Sequence, residues 1–220
     1  MSESNEAHLD AVRVPIFICC RDRVSSLRKL VTWLEQAGHQ NITLIDNGST
    51  YEPLLAFYHD TTHKVVKLEH NAGSRALWDM DLTPNAFYVY TDPDIVPVET
   101  CPLDVVAHLH ELLERHPKFS KAGLGLHLDD VPETLRSLEW ERSLVSPERE
   151  LSLGAYDSLI DTTFALYRPG APFEYEAIRT GAPYEARHLP WYVTEPDDED
   201  RYYLDRAMFG PLGSSWEEGI

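Results

Sequence analysis

Residues 14–49 read VPIFICCRDRVSSLRKLVTWLEQAGHQNITLIDNGS, and the apolar spacing within them decides the fold. A short apolar run over residues 12–20 ends in the charges of Arg21, Asp22 and Arg23. Ser25 or Ser26 then opens a segment in which Leu27, Leu30, Val31 and Leu34 share one helical face, and Gly38 closes it. Residues 42–45 make a second strand. Outward from there the pattern repeats: Tyr51, Leu54, Leu55 and Tyr58 mark a second helix, and residues 65–68 a third strand. Strands joined by a helix of this length run parallel, because only a crossover of a dozen or more residues returns the chain in the same direction. Residues 87–90 supply a fourth strand. A helix opening at Pro102 follows, with Leu103, Val106, Leu109, His110 and Leu113 along one side. The expected first half is an α/β unit of the nucleotide-binding kind.

After His116 the pattern changes. Residues 122–128 and 159–167 read as strands, while Gly, Pro and aromatic residues multiply, so a mixed second half is expected. Residues 197–200 form an acidic run that reads as solvated surface, and residues 1–11 and 210–220 read as flexible tails.

A chain of 220 residues with 43% hydrophobic content buries a real core, most simply as one domain. The formal charge of -18 argues against nucleic acid or an anionic membrane as a general partner, so an anionic substrate needs a local cation. No stretch approaches the roughly 20 apolar residues of a membrane span, and the N-terminus lacks a signal-peptide pattern; the reading is soluble and cytoplasmic. Cys19, Cys20 and Cys101 are odd in number, and the adjacent pair points to opposite faces of a strand, so free thiols are expected.

Ligands of open α/β sheets collect at the carboxyl ends of the parallel strands. There the sequence places Arg21, Asp22 and Arg23, then residues 46–49 (Asp-Asn-Gly-Ser), residues 70–75 (His-Asn-Ala-Gly-Ser-Arg) and residues 91–94 (Thr-Asp-Pro-Asp). Asp92 and Asp94, two apart with a stiffening proline between, read as a two-oxygen clamp for a hard cation such as Mg2+ or Mn2+. They also read as a strand end and a turn cap. Asp46 suits a ribose hydroxyl or a base N–H, or simply a turn. Arg21, Arg23 and Arg75 are the natural diphosphate partners, or surface ion pairs. Asn71 opens a glycine turn that lets backbone approach a ligand.

In this order these pieces resemble the inverting family-two glycosyltransferases of the GT-A fold. The match spans residues 14–98. The resemblance implies a single GT-A-like domain: a mostly parallel, Rossmann-like sheet flanked by helices, with residues 12–98 as the nucleotide-sugar-binding half and residues 99–209 as a mixed acceptor half. It implies a nucleotide-diphosphate sugar donor held by Arg21, Asp46, Asn71, Arg75 and Asp92. It also implies an Mn2+ or Mg2+ ion on Asp92 and Asp94, completed by a histidine from the second half. His188 is the candidate for that ligand, with His127 in reserve. An inverting transferase needs a carboxylate base for the acceptor hydroxyl. Asp161, set in an apolar stretch whose burial would raise its pKa, is the candidate, with Asp130 and Asp157 behind it; it also reads as a carboxylate simply hydrogen-bonded by its neighbouring threonines. The acceptor is a glycan, a lipid-linked sugar or a small molecule.

Two other readings stand beside this one. Residues 88–96 also fit a haloacid-dehalogenase phosphatase with Asp92 as nucleophile, although three strands precede the motif and Lys121 is the last lysine. A fold that binds a sugar nucleotide without turnover is the other.

Overall fold

The computed structural model describes residues 9–133, 135–152 and 154–207. Its elements, in chain order, are β1 (Ile16–Cys20), α1 (Ser25–Gln36), β2 (Ile42–Asp46), α2 (Glu52–Asp60), β3 (Lys64–Lys67), α3 (Ala76–Asp79), β4 (Tyr88–Thr91), β5 (Ile95–Pro97) and α4 (Val105–Arg115). There follow β6 (Lys121–Gly123), β7 (Gly125–Leu126), α5 (Leu138–Ser143), β8 (Glu150–Ser152), β9 (Ala155–Leu159), β10 (Ala165–Tyr167), β11 (Glu176–Thr180), β12 (Glu185–His188) and α6 (Asp198–Ala207).

The period of α1 agrees with its burial: Leu27, Leu30, Val31 and Leu34 all face the core, and Gly38 leaves the helix at φ 86°. Truncating any one of these leucines to alanine would cost about 2–5 kcal/mol. Along β1 the two-residue period sorts the thiols. Cys20 joins Ile16 and Ile18 on one side of the sheet, and Cys19 joins Ile45 and Tyr90 on the other. All three cysteines are free and buried, as the sequence indicates.

One nine-stranded sheet runs in the order β3-β2-β1-β4-β10-β6-β11-β9-β8. The first four strands are mutually parallel. Beyond β4 the sheet is mixed: β10 lies antiparallel between β4 and β6, β11 runs parallel to β6, and β9 and β8 are antiparallel additions. The expected parallel sheet therefore holds for the first half, and the second half extends the same sheet. A three-stranded layer, β5-β12-β7, stands beside it.

Four local expectations are corrected. Residues 122–128 are two strands in two sheets, β6 and β7. The chain crosses between layers through Gly123 and Gly125, where an added Cβ would lie 2.5 Å from the Phe164 carbonyl oxygen and 2.0 Å from that of Thr180. Residues 159–167 are likewise divided, β9 ending at Leu159 and β10 starting at Ala165, with a loop between. The helix expected at Pro102 starts at Val105, leaving Leu103 exposed, and Val105 and Leu112 complete its buried face. Residues 197–200 are not merely solvated surface. Glu199, at the start of α6, is buried and accepts the backbone N–H groups of Val24 and Ser25 at 3.0 and 3.1 Å, so it caps α1 from across the chain. Of the expected tails, residues 1–8 and 210–220 lie outside the described residues, whereas Leu9 and Ala11 pack against the core.

Candidate active site

The carboxyl ends of β1, β2 and β4, with the segment after β3, converge on one cavity of about 870 Å³. Its lining includes Arg21, Asn71, Asp92, Asp94, Asp161 and His188, six of the residues singled out in the sequence. Asp46 and Arg75 are not among the lining residues. Asp46 is buried at the end of β2 and accepts the Ser49 N–H at 3.0 Å, forming a turn. Arg75 is exposed and stands 3.9 Å from Asp79 one helical turn on.

The turn built by Asp46 shapes the wall nonetheless. Gly48 adopts φ 73°, and a Cβ there would lie 3.0 Å from the backbone of both His70 and Asn71. Beside it, Asn47 accepts the Ala72 N–H at 2.7 Å and donates to the Gly73 carbonyl at 2.9 Å. Asn47, placed at the strand end but given no role of its own by the sequence, thus locks the loop that carries Asn71. Asn71 in turn accepts the Gly73 N–H at 3.0 Å.

Two residues after the end of β4, the chain leaves the large sheet, and Asp92 and Asp94 flank the departure. Asp92 accepts a 2.5 Å hydrogen bond from Thr162 Oγ1. Burial pushes its carboxyl well above the usual range, and repulsion from Asp94 and Asp161 adds to that shift, while Thr162 and Arg23 oppose it. Asp94 is ion-paired with Arg23 at 2.8 Å, and the Arg23 guanidinium lies 4.1 Å over the Tyr203 ring. His188, at the end of β12, brings Nε2 to 3.9 Å from Asp94 Oδ2 and packs edge-on against Trp191. Burial lowers its pKa, so the ring is neutral at pH 7.

Two carboxylates on one short segment, Asp92 raised in proton affinity by its burial, beside a neutral imidazole, form a donor set suited to a hard divalent cation. Among the described residues no three His, Cys, Asp or Glu side chains are gathered closely enough to hold such an ion by themselves. The fit is to an ion that fills its remaining positions with water and phosphate oxygens.

Asp161 departs from expectation. It lies in the loop between β9 and β10 and is exposed, not inside a strand. Its Oδ1 accepts from the Thr163 N–H at 3.0 Å and the Thr163 hydroxyl at 2.7 Å. The loop itself is held by Lys121, whose fully buried ammonium donates to the carbonyls of Ile160 at 2.5 Å and Asp161 at 3.2 Å. Burial pulls the Lys121 pKa down to about 8. Among the described residues no carboxylate lies within ion-pair distance of it.

The reserve candidates stand elsewhere. His127 is held by Glu185 at 2.8 Å, Asp130 by Arg187 and Tyr192 at 2.9 Å each, and Asp157 by Lys118 at 2.7 Å; none lines the cavity. The phosphatase alternative loses its later lysine, since Lys121 is turned to backbone carbonyls. Sequence reading also missed α5, which brings Trp140 and Glu141 to the wall, and Tyr203 on α6. A six-residue helix is too short for its period to register.

The sequence matches no family model and no curated relative. Among solved structures, a mannosyltransferase from Pyrobaculum calidifontis, determined in complex with GDP-Man and Mn2+, aligns with 94% of this chain and 67% of its own, with a TM-score of 0.55 and 12% identity. A putative glucose-1-phosphate thymidylyltransferase from Bacillus anthracis, in complex with a sucrose, aligns with 88% of this chain and 83% of its own, with a TM-score of 0.39 and 13% identity. The first likeness shows a shared fold. No helix among the described residues is long and apolar enough to cross a membrane.

Proposed function

We propose that this chain is a metal-dependent glycosyltransferase that moves a sugar from a nucleotide-diphosphate donor to an acceptor hydroxyl, with inversion. One observation carries the reading: the hydrogen bond from Thr162 to Asp92 joins the loop bearing Asp161 to the Asp-Pro-Asp segment, so a prospective base and a prospective cation site face one cavity. The shared fold with a mannosyltransferase whose structure holds GDP-Man and Mn2+ supports it.

In this scheme Arg21 and the loop of Asn71 bind the diphosphate, and Asp46 acts as a positioning residue through its turn. Asp92, Asp94 and His188 would hold Mn2+ or Mg2+, which supplies positive charge to offset that of the departing diphosphate. For Asp94 to serve, Arg23 must share it or swing aside, and Arg23 then becomes a further phosphate partner. Asp161 accepts the acceptor's hydroxyl proton as the new bond to the anomeric carbon forms. The bond to the diphosphate oxygen breaks, and its electron pair leaves with the nucleoside diphosphate.

A thermal-shift screen of UDP- and GDP-sugars with and without Mn2+ tests the scheme, because a ligand bound only by the folded state raises Tm. Wild-type protein should respond to a sugar nucleotide only with Mn2+ present, and Asp94→Asn should lose that response while keeping its far-UV spectrum. Unchanged affinity in the variant would remove the metal assignment. Binding without donor consumption would leave a sugar-nucleotide-binding module, and turnover of p-nitrophenyl phosphate would favour the phosphatase.

A further inference from the structure

Among the described residues, Trp140 and Tyr175 are the exposed members of the Phe, Tyr and Trp set, each at 56% relative exposure; every other one is at least half-buried. Both line the cavity that holds Asp161. Large aromatic surface left in water is unfavourable, and its concentration at a cavity mouth marks a place where something lies against it.

Neither ring is a loose surface feature. Glu141, next to Trp140 on α5, pairs with the buried Arg179 at 2.6 Å, and Arg179 also donates to the Leu159 carbonyl at 3.1 Å. That anchors α5 over β9 and β11. Tyr175 accepts the Ile160 N–H at 2.8 Å through its carbonyl, which registers it to the residue preceding Asp161, and its ring packs edge-on against Phe173. Two aromatic planes are thus fixed on elements that flank the carboxylate.

Resting on the glycosyltransferase reading above, we propose that this mouth is an acceptor subsite for neutral glycosides, the sugar ring lying on Trp140 and Tyr175 with one hydroxyl directed to Asp161. A pyranose offers apolar C–H faces and a hydrogen-bonding edge. The mouth matches both, with aromatic planes beside the polar groups of Ser137, Glu141, Asp161 and Thr163. Glu141 is already neutralised by Arg179, so Asp161 is the carboxylate that an acceptor meets here, and in a chain of net charge -18 it favours a neutral hydroxyl over an anion at its side. In the transfer, the acceptor O–H proton passes to Asp161, the oxygen bonds to the donor's anomeric carbon, and the nucleoside diphosphate departs with the electrons of the broken bond.

The test uses methyl α-mannoside, methyl β-glucoside, methyl β-galactoside and cellobiose as probes. Donor consumption with Mn2+ is measured in wild type, Trp140→Ala, Trp140→Phe and Tyr175→Ala, alongside quenching of tryptophan fluorescence by each glycoside without donor. The expected result is that at least one glycoside is converted to a larger product. Its KM should rise about tenfold in each alanine variant, with partial retention in Trp140→Phe and donor KM unchanged. Conversion with wild-type glycoside KM in both alanine variants overturns the subsite, and so does transfer to a phenol or a prenol with no glycoside accepted. If the donor is not bound at all, the glycosyltransferase reading fails separately. Glycoside quenching that is present in wild type and weakened in Trp140→Phe would then still support the subsite, and its absence would overturn it.

Discussion

Lys121 is the residue whose energetics and chemistry pull in opposite directions. A buried ammonium without a carboxylate partner is costly, yet here it holds the two carbonyls that set the Asp161 loop. With its pKa lowered from 10.5 to about 8, the folded chain binds fewer protons than the unfolded chain between those values, so this group makes stability rise with pH through that window. Lys121→Met should lack that rise. The stability difference, wild type minus variant, should increase by up to about 3 kcal/mol between pH 8 and 10.5 in urea titrations, and a flat difference would contradict the shift. At pH 7 the same variant should transfer sugar more slowly with an unchanged donor KM. Asp161→Asn makes a sharper distinction: donor binding should persist while transfer falls about 10²–10⁴-fold, and near wild-type transfer would move the base elsewhere. What the sequence could not convey about Asp161 is its exposure, because Leu159, Ile160 and Phe164 around it imitate a buried strand although the chain leaves the sheet there.

At the level of elements, α1 was legible because one helical face stays apolar from Leu27 to Leu34. Its cap was not. The group that satisfies its first N–H donors is Glu199, 175 residues from Val24, and no local pattern announces so distant a partner. Glu199→Ala should therefore cost about 1–2 kcal/mol in urea denaturation, the scale of a lost N-terminal cap with a helix-dipole contribution; a loss below a few tenths would remove the capping role. Gly48→Ala should cost about 1–3 kcal/mol and weaken donor binding, because a side chain at positive φ meets the backbone that carries Asn71. The crossing from β6 to β7 was illegible for another reason: a continuous apolar run does not say which of two sheets its residues join.

Over the whole molecule, the parallel pairing of β1 to β4 follows from helical crossovers between apolar strands, so the parallel half and its ligand-gathering edge could be read from spacing alone, though the order β3-β2-β1-β4 could not. The second half could not, since its antiparallel partners are chosen by contacts among short strands with weak periods. The halves nonetheless share one sheet through β4 and β10. Unfolding should accordingly be a single transition, with tryptophan fluorescence and far-UV circular dichroism reporting the same midpoint in urea; two separated midpoints would mean two units. Within that single body the peptide from Asp92 to Asp94 has a particular place. One acid follows the last residues of the nine-stranded layer and the other precedes the first residue of the three-stranded layer, with a proline as the only joint. The gap between the two carboxylates is therefore a ruler for the relative position of the layers. If the proposed cation site holds, any slide of one layer against the other, by mutation or by a ligand filling the cleft, would change how firmly that cation is gripped.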